Sequence, residues 1–244
     1  MLVLAGPGSG KTKVLTERIR ILIEEHNVNP NQILVITFSK KAAIEMKNRF
    51  NSLLNGNSYP VNFGTFHSVF YQILKNHKNY NLDSILTEKD KISIISEIGF
   101  NLKIEKASSP SWQKEIIKMI SAYKNNGEDY LSCLYISDKE KEDFIKLYKY
   151  YMNECRLNNK LDYDDMILEC LDMFMKHESI LRVWREYFKY ILVDEFQDIN
   201  ESQYKILRLL AGDNKNIFCV GDISIVDKIR RIKRGAYYSC EKVA

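Results

Sequence analysis

The chain has 244 residues, 45% hydrophobic and 28% charged, a balance that excludes a disordered polyelectrolyte and a membrane-embedded protein. No run approaches the roughly 18 consecutive apolar residues of a membrane span, and Met1-Leu2-Val3-Leu4-Ala5 lacks the basic leader and long apolar stretch of a secretory signal. The five cysteines (Cys133, Cys155, Cys170, Cys219, Cys240) form no C-x-x-C pair, which argues against a zinc ribbon or disulfide framework and suits a reducing cytoplasm, while a net charge of +4 permits a polyanionic partner without demanding one.

In chain order, Leu2-Val3-Leu4 predicts a strand feeding a glycine-rich turn, and Leu15, Ile19, Leu22 and Ile23 mark one face of the helix that follows. Asn29-Pro30-Asn31 predicts a turn, and Ile33 to Phe38 a strand whose continuous apolar character fits a parallel sheet covered on both faces. A helix is expected from Lys40 to Leu54, broken at Gly56-Asn57 and Pro60 before a short strand from Val61 to Thr65. From Lys78 to Lys160 the periods are helical, interrupted at Ser108-Ser109-Pro110 and Asn125-Asn126-Gly127. Helices are expected again at Tyr163–Met175 and Ile180–Phe188, then a strand at Tyr190–Val193, a helix at Glu201–Leu210 and a strand at Asn216–Val220. This alternation predicts an α/β domain with a parallel sheet, in two parts (1–77 and 161–244) around an all-helical insertion at 78–160.

The chemistry begins at Ala5-Gly6-Pro7-Gly8-Ser9-Gly10-Lys11-Thr12. Small residues let successive backbone N–H groups turn inward around phosphate oxygens, and the following helix offers its positive end to the same anion. In such a P-loop Lys11 reaches the β- and γ-phosphates of a nucleoside triphosphate such as ATP, and the Thr12 hydroxyl ligates Mg2+. The second element is Ile191-Leu192-Val193-Asp194-Glu195-Phe196-Gln197-Asp198, an apolar strand closing on carboxylates. An acidic pair closing a strand is a weak signal by itself. Beside a P-loop it gives Asp194 the metal and Glu195 the attacking water.

Taken in order, Ala5–Thr12, Ile36-Thr37-Phe38-Ser39-Lys40-Lys41-Ala42-Ala43-Ile44-Glu45-Met46, Gly64-Thr65-Phe66-His67-Ser68 and Val193–Asp198 resemble successive motifs of the UvrD/PcrA/Rep group of superfamily 1 DNA helicases; Leu161–Met166 is similar to a segment that precedes the acidic motif in that group. The resemblance covers nearly the whole chain. It implies a RecA-like P-loop NTPase lobe with an inserted helical subdomain, ATP and Mg2+ as cofactors, and single-stranded DNA or a single/double-strand junction as partner. In the complete motor it implies ATP hydrolysis coupled to translocation with 3′ to 5′ polarity. It also implies that Thr37, Phe38, Lys40, Thr65, Phe66 and His67 face DNA, with rings for base stacking and hydroxyls for phosphates. Taken by themselves Phe38 and Phe66 read as core packing; the resemblance turns His67 toward DNA and leaves Phe66 between the two. Lys13 and Arg49 resemble positions near the nucleotide, although each alone reads as a solvated helix charge. The basic residues Lys103, Lys106, Lys114, Lys118 and Lys124 of the insertion either track a DNA backbone or form a solvated surface, and the interspersed acids favour the second.

Departures from that family pattern are equally specific. No adenine-reading glutamine precedes the P-loop, and Lys40 stands where an asparagine is expected. After Val220-Gly221-Asp222 the chain runs Ile223 to Ala236 without the expected glutamine and aromatic, and the basic run Lys228 to Arg234 reads either as a nucleic-acid patch or as a solvated tail, the missing motif favouring the tail. No part of a second RecA-like lobe, which would complete the active site with arginines, is read in these residues. Two functional classes therefore stand: a lobe of an ATP-dependent helicase, and a chain that alone binds ATP and DNA with little turnover and no unwinding. A small-molecule kinase with the same loop would leave Thr65-Phe66-His67 and the Asp194–Asp198 cluster without a role.

Overall fold

In a computed structural model describing residues 1–6, 8–54 and 58–222, five strands form one all-parallel sheet. They are β1 (Leu2–Leu4), β2 (Ile33–Thr37), β3 (Asn62–Thr65), β4 (Tyr190–Val193) and β5 (Ile217–Gly221), in the order β1-β5-β4-β2-β3. The expectations for Pro7, for the break at Gly56-Asn57 and for the segment 223–244 lie outside the described residues. The registers Leu4↔Gly221, Val193↔Cys219, Ile36↔Val193 and Thr37↔Thr65 bring all five strand ends out on the same edge. The fold is the α/β class expected from the alternation of patterns.

Each crossover is a helix because each connection carries apolar residues at helical spacing. Helix α1 (Lys11–Glu24) buries Leu15, Ile19, Leu22 and Ile23 as expected, and α2 (Lys40–Leu53) buries Ala43, Met46 and Phe50. Both pack on one face of the sheet, against Ile33, Val35, Leu192, Phe218 and Val220. The alternate positions Leu34, Ile36, Ile191 and Val193 point to the other face and are buried as well. All five positions of β2 are inaccessible, the signature of a central parallel strand. Ser39 starts α2 by accepting the Ala42 N–H at 3.1 Å. Helices α3 (Phe66–His77), α8 (Tyr163–Lys176), α9 (Glu178–Tyr187) and α10 (Glu201–Ala211) complete the connections, and α3 begins at the residue after β3.

The chain divides into two compact units, residues 1–73 with 167–222 and residues 74–166, and it passes between them within α3 and α8. The second unit contains α4 (Glu88–Asn101), α5 (Pro110–Asn126), α6 (Glu128–Ser132) and α7 (Asp138–Leu157), packed around Ile95, Ile116, Ile120, Phe144, Leu147 and Tyr151. Reciprocal side-chain caps start α4 (Thr87 with Asp90) and α7 (Ser137 with Glu140). Lys124 corrects the sequence reading. It lies on neither a solvated nor a DNA-tracking surface: its side chain is 1% exposed, and its ammonium pairs with Asp162 at 2.8 Å and Asp165 at 2.7 Å. The two aspartates also bond each other's backbone N–H, at 3.0 Å each, and the Tyr151 hydroxyl donates to Asp162.

Burial first, then the neighbouring Asp162, pushes the Asp165 carboxyl up to about 6. Burial also works against ionised Asp162, but Lys124 overcomes it and holds that carboxyl below its usual range. A carboxyl raised in the folded state contributes stability that is fully present below its unfolded value and lost as the pH rises through the folded one. Lys124→Met leaves two buried carboxylates without their cation. It is expected to lower the unfolding free energy by about 3–5 kcal/mol at pH 7.5 and by clearly less at pH 5, where Asp165 takes up a proton. Urea unfolding at the two pH values measures this.

Candidate functional site

The site starts where β1 ends. Ala5 N–H donates to Gly221 O at 3.0 Å, so the turn leaves the sheet tied to the neighbouring strand. The Ser9 hydroxyl donates to Gly6 O at 2.6 Å and closes the turn. Gly8 (φ +73°) and Gly10 (φ +85°) lie in the left-handed region, and a Cβ at either would meet nothing within 4 Å. Glycine is therefore required there by backbone conformation rather than by lack of room. Gly10 caps α1 without a side-chain hydrogen bond, and the first turn of α1 holds no acidic residue. That leaves the positive end of a fourteen-residue helix open to an anion.

The acidic side comes from β4. Asp194 N–H donates to Ile36 O at 2.9 Å, which extends the ladder by one residue. Glu195 then takes a left-handed conformation (φ +48°, ψ +48°), a strain of about 1 kcal/mol for a residue with a Cβ. A single 3-10 turn (Phe196–Asp198) follows, anchored by buried Phe196 edge-on to Tyr204. This reversal aims the Glu195 carboxylate at the P-loop, where its Oε2 accepts from Lys11 Nζ at 2.9 Å, between residues 184 apart in sequence. The bond to Glu195 raises the Lys11 pKa against the opposing effect of burial. Burial disfavours the Glu195 anion, but the donors Gln197 and Lys11 outweigh it and hold the carboxyl below its usual range. Both groups are therefore charged across the neutral range. Asp194 is shifted the other way, upward, by burial and then by the adjacent Glu195 charge.

An open cavity of about 780 Å³ joins these parts, lined by Gly8, Gly10, Lys11, Thr12, Lys13, Phe38, Ser39, Ala42, Arg49, Asp194, Glu195, Gln197, Asp198 and Asp222. The lysine of a glycine turn, an open helix end and two carboxylates meet in one cleft at the carboxyl ends of parallel strands, where open α/β sheets hold ligands.

A sequence profile of the UvrD/REP helicase N-terminal domain matches residues 1–224. The chain belongs to the UvrD/REP helicase family. It is 38% identical over 232 residues to a probable DNA helicase II homolog of Rickettsia conorii, covering 91% of this chain and 35% of that protein. It is 36% identical over 230 residues to the putative ATP-dependent DNA helicase YjcD of Bacillus subtilis (91% of this chain, 30% of that protein). Against the ATP-dependent DNA helicase PcrA of Staphylococcus epidermidis the identity is 36% over 235 residues (91% and 31%). The chain thus spans about a third of the length of the curated relatives it matches. Among the described residues no helix is long and apolar enough to cross a membrane.

Within this UvrD/REP domain, the expected nucleotide residues Gly8, Gly10, Lys11, Thr12, Lys13 and Arg49 share the cleft with Asp194 and Glu195. Ala5, Gly6 and Ser9 form the turn itself. Arg49 is exposed and paired with Glu45 at 2.6 Å, so its guanidinium is held by its own helix. Of the residues expected to face DNA, Phe38 is 66% exposed, so the packing alternative fails for it, and Lys40 is exposed beside it. Thr65 and His67 are half-buried. Phe66 and Thr37 are corrections. Phe66 is buried against Phe70, and Thr37 is buried with its hydroxyl donating to Ser39 O, so neither side chain is presented at the surface. Ser39, Ala42, Gln197, Asp198 and Asp222 also line the cleft, although the motifs that contain them gave these residues no individual role.

The donors present fit Mg2+. Asp194 Oδ1 is buried without a hydrogen-bond partner among the described residues, an expensive state for a carboxylate oxygen unless a ligand completes it. Thr12 supplies a hydroxyl to the same cleft. A hard, sparse oxygen set of this kind suits a cation that keeps waters and phosphate oxygens as its other ligands.

Two glycines of the turn separate backbone from space. Gly10→Ala should cost about 1–2 kcal/mol of unfolding free energy through its left-handed φ. Gly6→Ala, with no such φ and nothing within 4 Å, should stay within about 0.5 kcal/mol. Urea denaturation of both variants measures the difference.

Proposed function

We propose that this chain is the ATP- and DNA-binding first lobe of a UvrD-type 3′ to 5′ DNA helicase, in which ATP hydrolysis drives translocation along single-stranded DNA. The observation that carries it is the meeting of Lys11, Glu195 and the unpartnered Asp194 oxygen around the open end of α1. On this reading the N–H groups of the turn and of α1 hold the phosphates, and Lys11 exchanges Glu195 for the β- and γ-phosphate oxygens. Glu195, released from its cation, orients the attacking water and accepts its proton. Thr12 and Asp194 would hold Mg2+, which neutralises charge on the transferred phosphoryl group. Lys13 and Arg49 border the phosphate end of the cleft. Phe38, Lys40, Thr65 and His67 supply the DNA face at the ends of β2 and β3, combining stacking with phosphate contacts. Alone the chain is expected to bind nucleotide and DNA without unwinding, since translocation needs two lobes that open and close on nucleotide.

Binding of a fluorescent ATP analogue with Mg2+ tests the nucleotide half. Lys11→Ala should weaken it by about tenfold or more, the worth of a charge-assisted bond to phosphate. Its binding to a single-stranded oligonucleotide, followed by anisotropy, should be unchanged. Phe38→Ala should weaken the oligonucleotide by about fivefold or more, the low end for one stacked base. Equal nucleotide affinity for Lys11→Ala and the unsubstituted chain would overturn the assignment.

A further inference from the structure

Gln197, in the acidic turn, is a polar side chain that the reading above leaves without work. Its carboxamide is used at both ends. Nε2 donates to Glu195 Oε2 at 2.7 Å and more weakly to Asp198 Oδ2 at 3.3 Å, while Oε1 accepts the backbone N–H of Asp222 at 2.9 Å. The opposite amide orientation would set Oε1 against a carboxylate and Nε2 against an N–H donor, so the environment specifies only one. The sheet order explains the reach. Strand β5 lies between β1 and β4, so the residue that leaves β5, Asp222, sits between the P-loop and the acidic turn.

We propose that Gln197 is a positioning residue for Glu195, fixing its carboxylate to the end of β5 so that it stays in place when Lys11 turns to a phosphate. This deepens the function proposed above and rests on it. Glu195 Oε2 accepts from both Lys11 and Gln197. A bound triphosphate draws Lys11 away, and without a second donor the carboxylate would swing on its three side-chain torsions just when it must hold a water. The Gln197 bond is independent of the phosphates. Its other end is the backbone amide directly after β5 rather than a mobile side chain, so Glu195 is referenced to the sheet edge that also ties down the P-loop through Ala5 and Gly221.

Two substitutions separate positioning from simple packing. Gln197→Met keeps length and loses donor and acceptor; Gln197→Glu keeps the acceptor for Asp222 N–H and loses the donor to Glu195. Single-turnover hydrolysis of Mg·ATP by excess full chain should slow about tenfold or more in both, with the half-saturating chain concentration within about twofold. Gln197→Glu also brings a negative charge against Glu195 and Asp198, so the uncharged Gln197→Met decides: hydrolysis at the unsubstituted rate in that variant would overturn the proposal. Thermal unfolding without nucleotide gives a reading that needs no activity. Gln197→Met should lower Tm by at least about 2 °C more in the unsubstituted chain than in a Glu195→Ala background. Should the unsubstituted chain hydrolyse no ATP, hydrolysis by this lobe alone fails, and the unfolding cycle decides on Gln197 by itself: non-additive shifts support it and additive shifts overturn it.

Discussion

The site depends on one constraint: five parallel strands must end along the same edge, and β5 must lie between β1 and β4. That order places the turn after β1 and the turn after β4 on either side of Gly221-Asp222, close enough for Lys11 to meet Glu195 across 184 residues of sequence. The continuous apolar runs of β2 and β4 enforce it, because only a strand covered on both faces can bury Leu34, Val35, Leu192 and Val193 together. A change that shifted register at β4 would move Asp194 from the cleft before it touched any ligand.

The cleft is built from states that the rest of the fold has to hold. The end of α1 is left uncapped, Glu195 occupies a left-handed conformation, and Asp194 Oδ1 is buried without a partner. Each is unfavourable alone by an amount comparable to one good hydrogen bond. They persist because Leu15, Ile19, Met46 and Phe50 on one side of the sheet and the buried anchor Phe196 beside the turn leave no cheaper arrangement. The open helix end and the unpartnered oxygen would be satisfied together by a phosphate and a cation, while the Glu195 backbone stays strained to aim its carboxylate. The second unit shows the contrasting solution, where Lys124, Asp162 and Asp165 satisfy one another and face inward.

Much of the α/β frame was legible because its signals are local. Apolar runs gave the strands, and Leu15, Ile19, Leu22 and Ile23 gave α1 its buried face. The P-loop and the acidic pair were legible because both chemistries are written in consecutive residues. Helix α3 was not drawn, although Phe66, Phe70, Ile73 and Leu74 repeat at helical spacing and are all buried. The strand-end segment Thr65-Phe66-His67 overlaps the start of that period, so the two signals compete at Phe66. Pairings between distant residues were not legible at all. Nothing in the sequence joins Gln197 to Asp222, or sets Lys124 apart from Lys114 and Lys118 on the same helix, because the difference is the neighbour that folding supplies. Exposure was equally hidden: Phe38 and Phe66 looked alike as aromatics near strand ends, and one is open while the other is core.

In this member of the UvrD/REP family the lysine of the cleft is committed to the carboxylate beside it. The central claim is that a triphosphate takes that lysine. A crystal structure of the chain with Mg2+ and a non-hydrolysable ATP analogue tests it most directly. The expected result is phosphate density in the turn from Gly8 to Thr12, with Lys11 withdrawn from Glu195 toward it. Nucleotide bound elsewhere, or bound there with the Lys11–Glu195 pair intact, would contradict the account.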